Sequence, residues 1–419
     1  MPATKIDPGQ DVGVTVEEPL IEQPRGLRAP GTARMIGGSL IGALCAYLFQ
    51  VVGGRTLGTH AFAPIAILWT VFFIAATVSL IPLEQFVTRE VGRGRRVLIA
   101  DRSVVAVVTV GTGLLLAAFV YFTRDGLFDG EAIFALQAFL LTVLFGFMQV
   151  GKGVLAGHRR FATYGSVLLL EGLFRLAAAV GFLAISPTAV SLGWAMVCAP
   201  LGIFLISPWR LDRETVAGVV PTPARGFLSS YAVGASASQL LLAGAPLGVA
   251  ALGGSEALRS IMFQTFTLYR APLTLIYNLQ GRVLSLLVRH GNGDAIRRLA
   301  RRVLIVGAIL VGAAALVGFL AGPRVVELLY GAEFRPVALV AALAAAGVIA
   351  AAVTQVLSQA LVAAGSTGEL AGAWIGGLIL GLATMLALPG TPDFRVAAGF
   401  VAGEVAALAI ASWRTVRRT

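Results

Sequence analysis

Long apolar runs dominate this chain and recur at nearly regular intervals from residue 35 to residue 413. A helix needs about 20 mainly apolar residues to cross the hydrocarbon core of a bilayer. The chain contains twelve runs of that kind, separated by short polar segments. Their approximate bounds are 35–53, 61–84, 103–122, 132–151, 164–186, 188–208, 227–251, 257–281, 303–322, 337–364, 369–389 and 395–413. The sequence therefore predicts an all-α polytopic membrane protein with twelve transmembrane helices.

The composition excludes a soluble protein. Hydrophobic residues make up 57% of the 419 residues, charged residues only 13%, and the mean hydropathy is +0.86, whereas soluble domains are about one quarter charged. Cys45 and Cys198 lie inside apolar runs, and the three histidines are far apart in the sequence. We therefore predict neither a disulfide framework nor a metal site, and no cofactor.

The distribution of Lys and Arg predicts the orientation, because positive charges accumulate in cytoplasmic loops. If the N-terminus is cytoplasmic, most of the 32 Lys and Arg residues fall in cytoplasmic segments. We expect a protein of the cell membrane with both termini in the cytoplasm. Arginines that face an anionic leaflet explain the formal net charge of +11, so we expect membrane lipids, and not nucleic acid, as partners.

The twelve predicted helices divide into two sets of six that resemble each other weakly. The segment GVLAGHRRFATYG after predicted helix 4 aligns with ALVAAGSTGELAG after predicted helix 10. Such repeats are typical of transporters, with the substrate site between the two halves. The predicted divisions are a disordered cytoplasmic tail (1–33), an N-terminal six-helix lobe (34–209), a cytoplasmic linker (210–226), a C-terminal six-helix lobe (227–413) and a cytoplasmic tail (414–419).

Two segments carry a resemblance to a known family. FQVVGGRTLGTHAFAPIAILWTVFFIAATVSLIPLEQFVTREVG is similar to the opening helix pair of Wzx-type polysaccharide flippases, in which an Arg-x-Leu-Gly turn follows helix 1. VVELLYGAEFRP, residues 325–336, resembles the Leu-Tyr-Gly-x-x-Phe segment between helices 9 and 10 of that family. The resemblance implies the multidrug/oligosaccharidyl-lipid/polysaccharide (MOP) exporter superfamily. It also implies two six-helix lobes around a cavity lined by helices 1, 2, 7 and 8, which moves polyprenyl-linked sugars outward.

Arg270 is the strongest candidate for substrate binding, because a charge in mid-membrane is costly and usually functional. It lies near the middle of predicted helix 8, on one polar face with Thr274 and Asn278. A guanidinium is a planar fork that suits a diphosphate. Gln239 of predicted helix 7 and Gln50 of predicted helix 1 are further candidates, although polar residues of this kind also serve in helix packing.

Three more charges lie within predicted helices and are open to a structural or a coupling role. Glu171 and Arg175 are four residues apart, a spacing that brings two side chains together on one helical face. They fit a structural ion pair within the N-terminal lobe. Glu404 has no partner nearby in the sequence, so it is either protonated or paired with an arginine from elsewhere.

Glu84 is predicted to lie near the cytoplasmic interface, because only five residues separate it from Arg89. One interpretation is an ordinary interfacial glutamate paired with Arg89 or another loop arginine. The other is a cytoplasmic gate, in which Glu84 pairs with an arginine of its own loop or with Arg282 at the corresponding end of predicted helix 8. An interfacial pair of this kind contributes only about 0 to 1 kcal/mol, enough to bias two states of nearly equal free energy.

Four classes of function are open at this point. The resemblance and Arg270 favour a flippase of lipid-linked oligosaccharides, with polysaccharide-assembly enzymes as further candidate partners. A cation-coupled drug exporter of the same superfamily would be expected to place a carboxylate in helix 1, and predicted helix 1 has none. A membrane enzyme would need a larger extramembrane loop with carboxylates, so we predict no enzymatic activity. The fourth class is a non-transporting scaffold.

Overall fold

The computed structural model describes residues 31–94, 101–211, 236–271, 273, 293–363 and 367–418. These residues are almost entirely helical. The helices of the N-terminal lobe are α1 (Thr32–Ala75), α2 (Ile81–Gly92), α3 (Arg102–Phe122), α4 (Arg124–Leu127), α5 (Ile133–Gly157), α6 (Phe161–Ile185), α7 (Ala189–Cys198) and α8 (Ile203–Ile206). The helices of the C-terminal lobe are residues 236–243, α9 (Ala245–Ala251), α10 (Glu256–Tyr269), α11 (Gly293–Leu320), α12 (Gly322–Tyr330), α13 (Ala338–Ala363), α14 (Thr367–Ala387) and α15 (Pro392–Arg418).

Helix α1 consists of two arms, because the chain reverses at Gly58, where the backbone angles (φ 73°, ψ 178°) interrupt the helix. Only glycine adopts such a φ readily. The first arm therefore ends just before Gly58, and the second arm begins at Thr59. The second arm continues through a π-helical turn, Ala76–Leu80, into α2. Predicted helices 1 and 2 are thus joined by a tight turn at one residue.

Nine helical spans among the described residues are long and apolar enough to cross a membrane. The first of them runs from Ala33 to Gly92 and includes the reversal at Gly58, so it accounts for two crossings. The described parts of predicted helices 7 and 8, residues 236–251 and 256–271, are also helical. The all-α polytopic fold predicted from the twelve apolar runs is confirmed. We call the end of the bundle that carries residues 55–60, 123–132 and 322–336 the outer end, following the predicted orientation.

Hydrophobic packing joins the two lobes at the outer end. The largest cluster of buried side chains lies mainly in the N-terminal lobe, yet it includes Phe263, Tyr330 and Phe334 of the C-terminal lobe. A second cluster lies within the C-terminal lobe, between α10, α13 and α15. The lobes therefore share one apolar core near their outer ends, and the C-terminal lobe has a second core of its own.

Candidate functional site

A cavity of about 210 Å³ lies between the two lobes. Its wall is built by both arms of α1, by the helix at residues 236–243 and by the end of α10. The lining residues are Ala43, Ala46, Tyr47, Gln50, Trp69, Thr70, Phe73, Gln239, Leu242, Ala243, Phe263, Thr267, Arg270 and Leu273. These segments correspond to predicted helices 1, 2, 7 and 8, the four helices that the resemblance implies around the cavity.

Arg270 is the C-terminal cap residue of α10, and the described residues 271 and 273 that follow it are again helical. Its Nε donates a hydrogen bond to the carbonyl of Phe266 at 3.1 Å, and its guanidinium also donates to Thr267 Oγ1 at 3.2 Å. The guanidinium carbon lies 5.8 Å from the centre of the Phe73 ring, across the cavity in the N-terminal lobe. Arg270 is thus a cation in the cavity wall, and its side chain is held by its own helix.

Polar groups from both lobes meet along the cavity. Tyr47 donates its hydroxyl hydrogen to the carbonyl of Thr267 at 3.2 Å, and Gln264 Nε2 donates to the carbonyl of Gln50 at 3.4 Å. The side-chain amide of Gln50 is only 1% exposed and makes no hydrogen bond within the part of the chain that the structure describes. A buried amide in that situation needs an explanation. Both of its polar atoms are inaccessible in this conformation, so a ligand could reach them only after the side chain or the lobes move.

The structure thus brings together three of the predicted substrate-binding residues. Arg270, Gln239 and Gln50 all line the cavity, although they belong to three different helical segments. The predicted sites Thr274 and Asn278 lie outside the described residues. That these side chains bind substrate stays a prediction.

Glu84 is buried, with 6% of its surface exposed, and its ion-pair partner is Lys152. Its Oε2 lies 3.0 Å from Lys152 Nζ, and its Oε1 accepts a hydrogen bond from the Tyr164 hydroxyl at 2.7 Å. Lys152 also donates to Gln149 Oε1 at 2.8 Å. In this conformation the carboxylate is therefore held by α5 and α6 of its own lobe, and its pairing with a loop arginine in another conformation stays a prediction.

The physical reason lies in helix length and helix packing. Helix α5 extends to Gly157, beyond the predicted end at residue 151, so Lys152 is a helical residue and not part of a loop. At Gly153, a Cβ would come within 2.8 Å of the Glu84 carbonyl oxygen and 2.7 Å of Val87 Cβ. The missing side chain lets α5 approach α2 closely, which places the neighbouring Lys152 against Glu84. Arg282, the other predicted gate partner, lies outside the described residues.

Glu171 and Arg175 form the ion pair that their spacing predicts, within α6. The guanidinium of Arg175 also lies over the Trp69 ring, with its carbon 5.0 Å from the ring centre. Trp69 lines the cavity, so the pair supports one wall from behind. This arrangement favours the structural interpretation of Glu171 and Arg175 over a coupling role.

Glu404 lies in α15 and is fully buried. Neither of its carboxyl oxygens has a hydrogen-bond partner among the described residues. It lies one helical turn from Phe400 and one from Leu408, and both of these side chains pack toward α13. Glu404 therefore lies in the core of the lobe and is not among the residues that line the cavity. A role of Glu404 in coupling stays a prediction.

Two features of the site are absent from the sequence prediction. Lys152 and Tyr164 complete the cluster around Glu84, and an aromatic wall of Tyr47, Trp69 and Phe73 faces Arg270. A signal for Lys152 was present, because the chain has only two lysines and this one stands between glycines in VGKGVLAG. The aromatic residues gave no such signal, since single aromatics are common in transmembrane helices.

Comparisons with known proteins agree with this architecture. No family model matches the chain. Over 409 residues it is 27% identical to an uncharacterised protein of Mycobacterium bovis, with 92% of each protein covered. Over 437 residues it is 28% identical to an uncharacterised protein of Mycobacterium tuberculosis, covering 96% of this chain and 94% of the relative.

Solved structures share the fold at low identity. The inward-facing conformation of a multidrug resistance MATE family transporter of the MOP superfamily gives a TM-score of 0.65 at 13% identity, covering 92% of this chain and 99% of the other. An outward-facing conformation of such a transporter gives 0.55 at 17% identity, covering 94% and 96%. A MOP superfamily transporter from Pyrococcus furiosus, described as having a binding pocket of reverse polarity, gives 0.56 at 14%, covering 92% and 94%. The chain is a multi-pass membrane protein with the fold of MOP superfamily transporters, twelve helices in two lobes.

Proposed function

We propose that this protein is a transporter that moves a polyprenyl-diphosphate-linked oligosaccharide from the cytoplasmic to the outer leaflet by alternating access. The fold and the position of the cavity between two lobes support transport. The single observation that carries the choice of substrate is the position of Arg270 in the wall of that cavity.

The charge of the cavity favours an anion. Arg270 is the only charged residue among the described residues that line it. In a site of low dielectric constant, one cation attracts an anionic group and repels a cationic one more strongly than it would in water. A guanidinium also matches the oxygens of a phosphate with two parallel hydrogen bonds. A diphosphate is therefore a better partner for this wall than an organic cation.

The rest of the wall suits a sugar and a lipid. The amide of Gln239 offers donors and acceptors for hydroxyl groups. The buried Gln50 amide, which has no partner among the described residues, would offer them once the lobes separate. Tyr47, Trp69 and Phe73 offer flat, mainly apolar surfaces on which sugar rings or isoprenoid chains can pack. Ligand sites are usually lined by apolar and aromatic side chains, with a few polar groups that fix the orientation of the ligand.

The size of the cavity requires the lobes to move. At about 210 Å³, it is smaller than the roughly 300 to 1,000 Å³ of pockets that hold drug-sized ligands. A lipid-linked oligosaccharide is larger still, so the lobes must separate before such a substrate can enter. Alternating access provides that separation on one side at a time.

A cation-coupled exporter of small molecules is the second candidate, because solved structures with this fold include multidrug transporters. Such a protein needs an acidic group that meets its cationic substrate or its coupling ion. The described lining residues include no carboxylate, and the first arm of α1 has none in its sequence. The electrostatics of the cavity therefore favour the first candidate.

Binding measurements distinguish the two candidates. The purified full chain in lipid nanodiscs is titrated with a polyprenyl diphosphate that carries a short oligosaccharide, with the corresponding uncharged polyprenol, and with a lipophilic organic cation. We expect the diphosphate to bind most tightly. Arg270→Ala should raise its Kd by about 10- to 150-fold, the equivalent of the roughly 1.5 to 3 kcal/mol of a hydrogen bond to a charged group. Arg270→Lys should have a smaller effect.

Arg395→Ala is a matched control from the same lobe. Arg395 also donates to backbone carbonyls, those of Met385 and Leu386, but it is absent from the cavity lining. Its replacement should leave the Kd unchanged. If Arg270→Ala binds the diphosphate as tightly as the unchanged protein, the proposed substrate contact is wrong. Tighter binding of the organic cation than of the diphosphate would favour the exporter, and no binding of any ligand would favour a scaffold.

A further inference from the structure

The two segments that carry the family resemblance contact each other across the lobes. RTLGT, residues 55–59, belongs to the turn between the arms of α1 in the N-terminal lobe. LLYGAEF, residues 328–334, ends α12 and forms the following 3₁₀ turn in the C-terminal lobe. Arg55 and Leu329, which are 274 residues apart in the sequence, meet at the outer end of the bundle.

The first contact is made by a cation at a helix C-terminus. The guanidinium of Arg55 donates to the carbonyl of Leu329 at 2.8 Å and to the carbonyl of Leu328. These carbonyls lie in the last turn of α12, where backbone acceptors have no partner within the helix and the helix dipole attracts positive charge. Arg55 therefore caps a helix of the opposite lobe.

The second contact is made by an anion at a helix N-terminus. Glu333 Oε2 accepts hydrogen bonds from the Thr59 backbone N–H at 3.4 Å and from Thr59 Oγ1 at 3.3 Å. Thr59 is the first residue of the second arm of α1, where free N–H groups and the dipole favour a carboxylate. A Cβ at Gly58 would come within 3.0 Å of Glu333 Oε1, so glycine also lets the carboxylate approach. Each lobe thus caps a helix of the other.

Aromatic packing lies directly below these contacts. Phe62 of the N-terminal lobe lies 6.0 Å from Phe263 and 6.3 Å from Phe334 of the C-terminal lobe, measured between ring centres. All three side chains are fully buried. Ser260 also donates its hydroxyl hydrogen to the carbonyl of Thr59 at 2.6 Å. Because Phe263 lines the cavity, this layer separates the cavity from the outer end.

We propose that residues 55–59 and 328–334 form an outer latch, which holds the cavity closed toward the outer side and must separate before the cavity can open there. The two capping contacts are polar and lie at the rim, where water can replace them when the lobes part. The aromatic layer closes the path beneath them. The latch rests on transport by alternating access but not on the identity of the substrate.

The experiment measures access to the cavity from outside. Cys45 and Cys198 are replaced by alanine, and Ala46→Cys places one thiol in the cavity wall. Intact cells are treated with a membrane-impermeant thiol reagent, and the labelling rate is compared among latch variants. Arg55→Ala and Glu333→Gln should each raise the rate several-fold, and the double variant should raise it further. A smaller increase is expected for Arg55→Lys, which keeps the charge and loses the two-carbonyl fork.

Arg395→Ala is again the matched control, because Arg395 caps the end of α14 within a single lobe at 3.0 and 3.1 Å. It should leave the labelling rate unchanged. Equal labelling of the unchanged, Arg55→Ala and Glu333→Gln proteins would overturn the latch, as would an equal increase in Arg395→Ala.

A second measurement covers the case in which a latch variant does not fold. Thr59→Cys and Glu333→Cys are combined in the Ala46→Cys background and joined by a short bifunctional reagent that releases its thiols on reduction. The joined protein should lose outside labelling at residue 46, and reduction should restore it. Unchanged labelling of the joined protein would contradict the proposal. This readout does not involve substrate, so its failure is distinct from failure of the binding experiment with Arg270→Ala.

Discussion

Glu84 of the N-terminal lobe and Glu404 of the C-terminal lobe are both buried within transmembrane segments, yet their surroundings differ. Glu84 meets an ammonium group at 3.0 Å and a hydroxyl at 2.7 Å, and these contacts join α2, α5 and α6. Glu404 meets no hydrogen-bond donor in the described part of the chain. Burial alone therefore does not tell what a membrane carboxylate does. Its hydrogen-bond and ion-pair partners determine whether the carboxylate stabilises or destabilises the fold.

The largest effect should follow from removing the cation beside Glu84. Lys152→Met leaves a buried carboxylate without a counter-charge, and breaking a buried ion pair in this way costs about 3 to 5 kcal/mol. We expect a strongly lowered Tm in detergent, measured by the heat-induced reactivity of the buried Cys45 thiol. The double variant Glu84→Gln/Lys152→Met should recover most of the loss.

Arg124→Met provides the control for that comparison. Arg124 pairs with Asp125 at 3.5 Å on the exposed surface, where an ion pair contributes about 0 to 1 kcal/mol. Its Tm should stay close to that of the unchanged protein. A Lys152→Met protein as stable as Arg124→Met would show that the Glu84 cluster does not tie the helices together.

An intermediate effect should follow from Tyr164→Phe. The change removes only the hydroxyl that donates to Glu84 Oε1, and a hydrogen bond to a charged group contributes about 1.5 to 3 kcal/mol. The Tm should fall by less than in Lys152→Met. Tyr121→Phe, at an exposed tyrosine, should leave the Tm unchanged. If the two phenylalanine variants behave alike, the hydrogen bond to Glu84 contributes nothing measurable.

The smallest effect on stability should follow from changes at Glu404. Glu404→Gln keeps the shape and removes no hydrogen bond seen among the described residues, so the Tm should hardly change. Glu404→Leu removes a buried polar group without partners and should leave the protein as stable or more stable. A fall in Tm comparable to that of Lys152→Met would show that Glu404 has a stabilising partner, and the proposed difference between Glu84 and Glu404 would then be wrong.

Transport assays on the same Glu404 variants test the remaining coupling hypothesis. If the carboxyl group takes part in coupling, Glu404→Gln should abolish transport while the Tm stays unchanged. If Glu404 is only a tolerated buried group, transport and Tm should both stay unchanged. The two measurements together separate these outcomes.

The fold could be predicted from the sequence because the length and hydrophobicity of a crossing helix are set by the bilayer. The helix at residues 133–157 shows the limit, because the predicted apolar run ends at residue 151 and the helix continues to Gly157. The apolar run marks the part in the membrane and not the end of the helix. Helix α12 was missed because it is short and lies in an outer connection that has no membrane to define its length. With only nine residues, it is too short for a helical pattern of apolar and charged residues to be recognised in the sequence.

The candidate site was predictable where a residue type is costly in the membrane. Arg270, Gln50 and Gln239 stand out in apolar runs, and the structure places all three around one cavity. The partner of Glu84 was not predictable, because it depends on how closely α5 approaches α2 at Gly153. That distance is set by three-dimensional packing, which the spacing of charges along one helix does not encode.

Flipping of a lipid-linked sugar in proteoliposomes tests the central claim most directly. The full chain is reconstituted with a fluorescent oligosaccharide on a polyprenyl diphosphate carrier, and movement between leaflets is followed by a quencher confined to one side. We predict movement by the unchanged protein and by Arg395→Ala, and none above background by Arg270→Ala. Equal movement by Arg270→Ala, or no movement by the unchanged protein while it expels a lipophilic cation, would contradict the account.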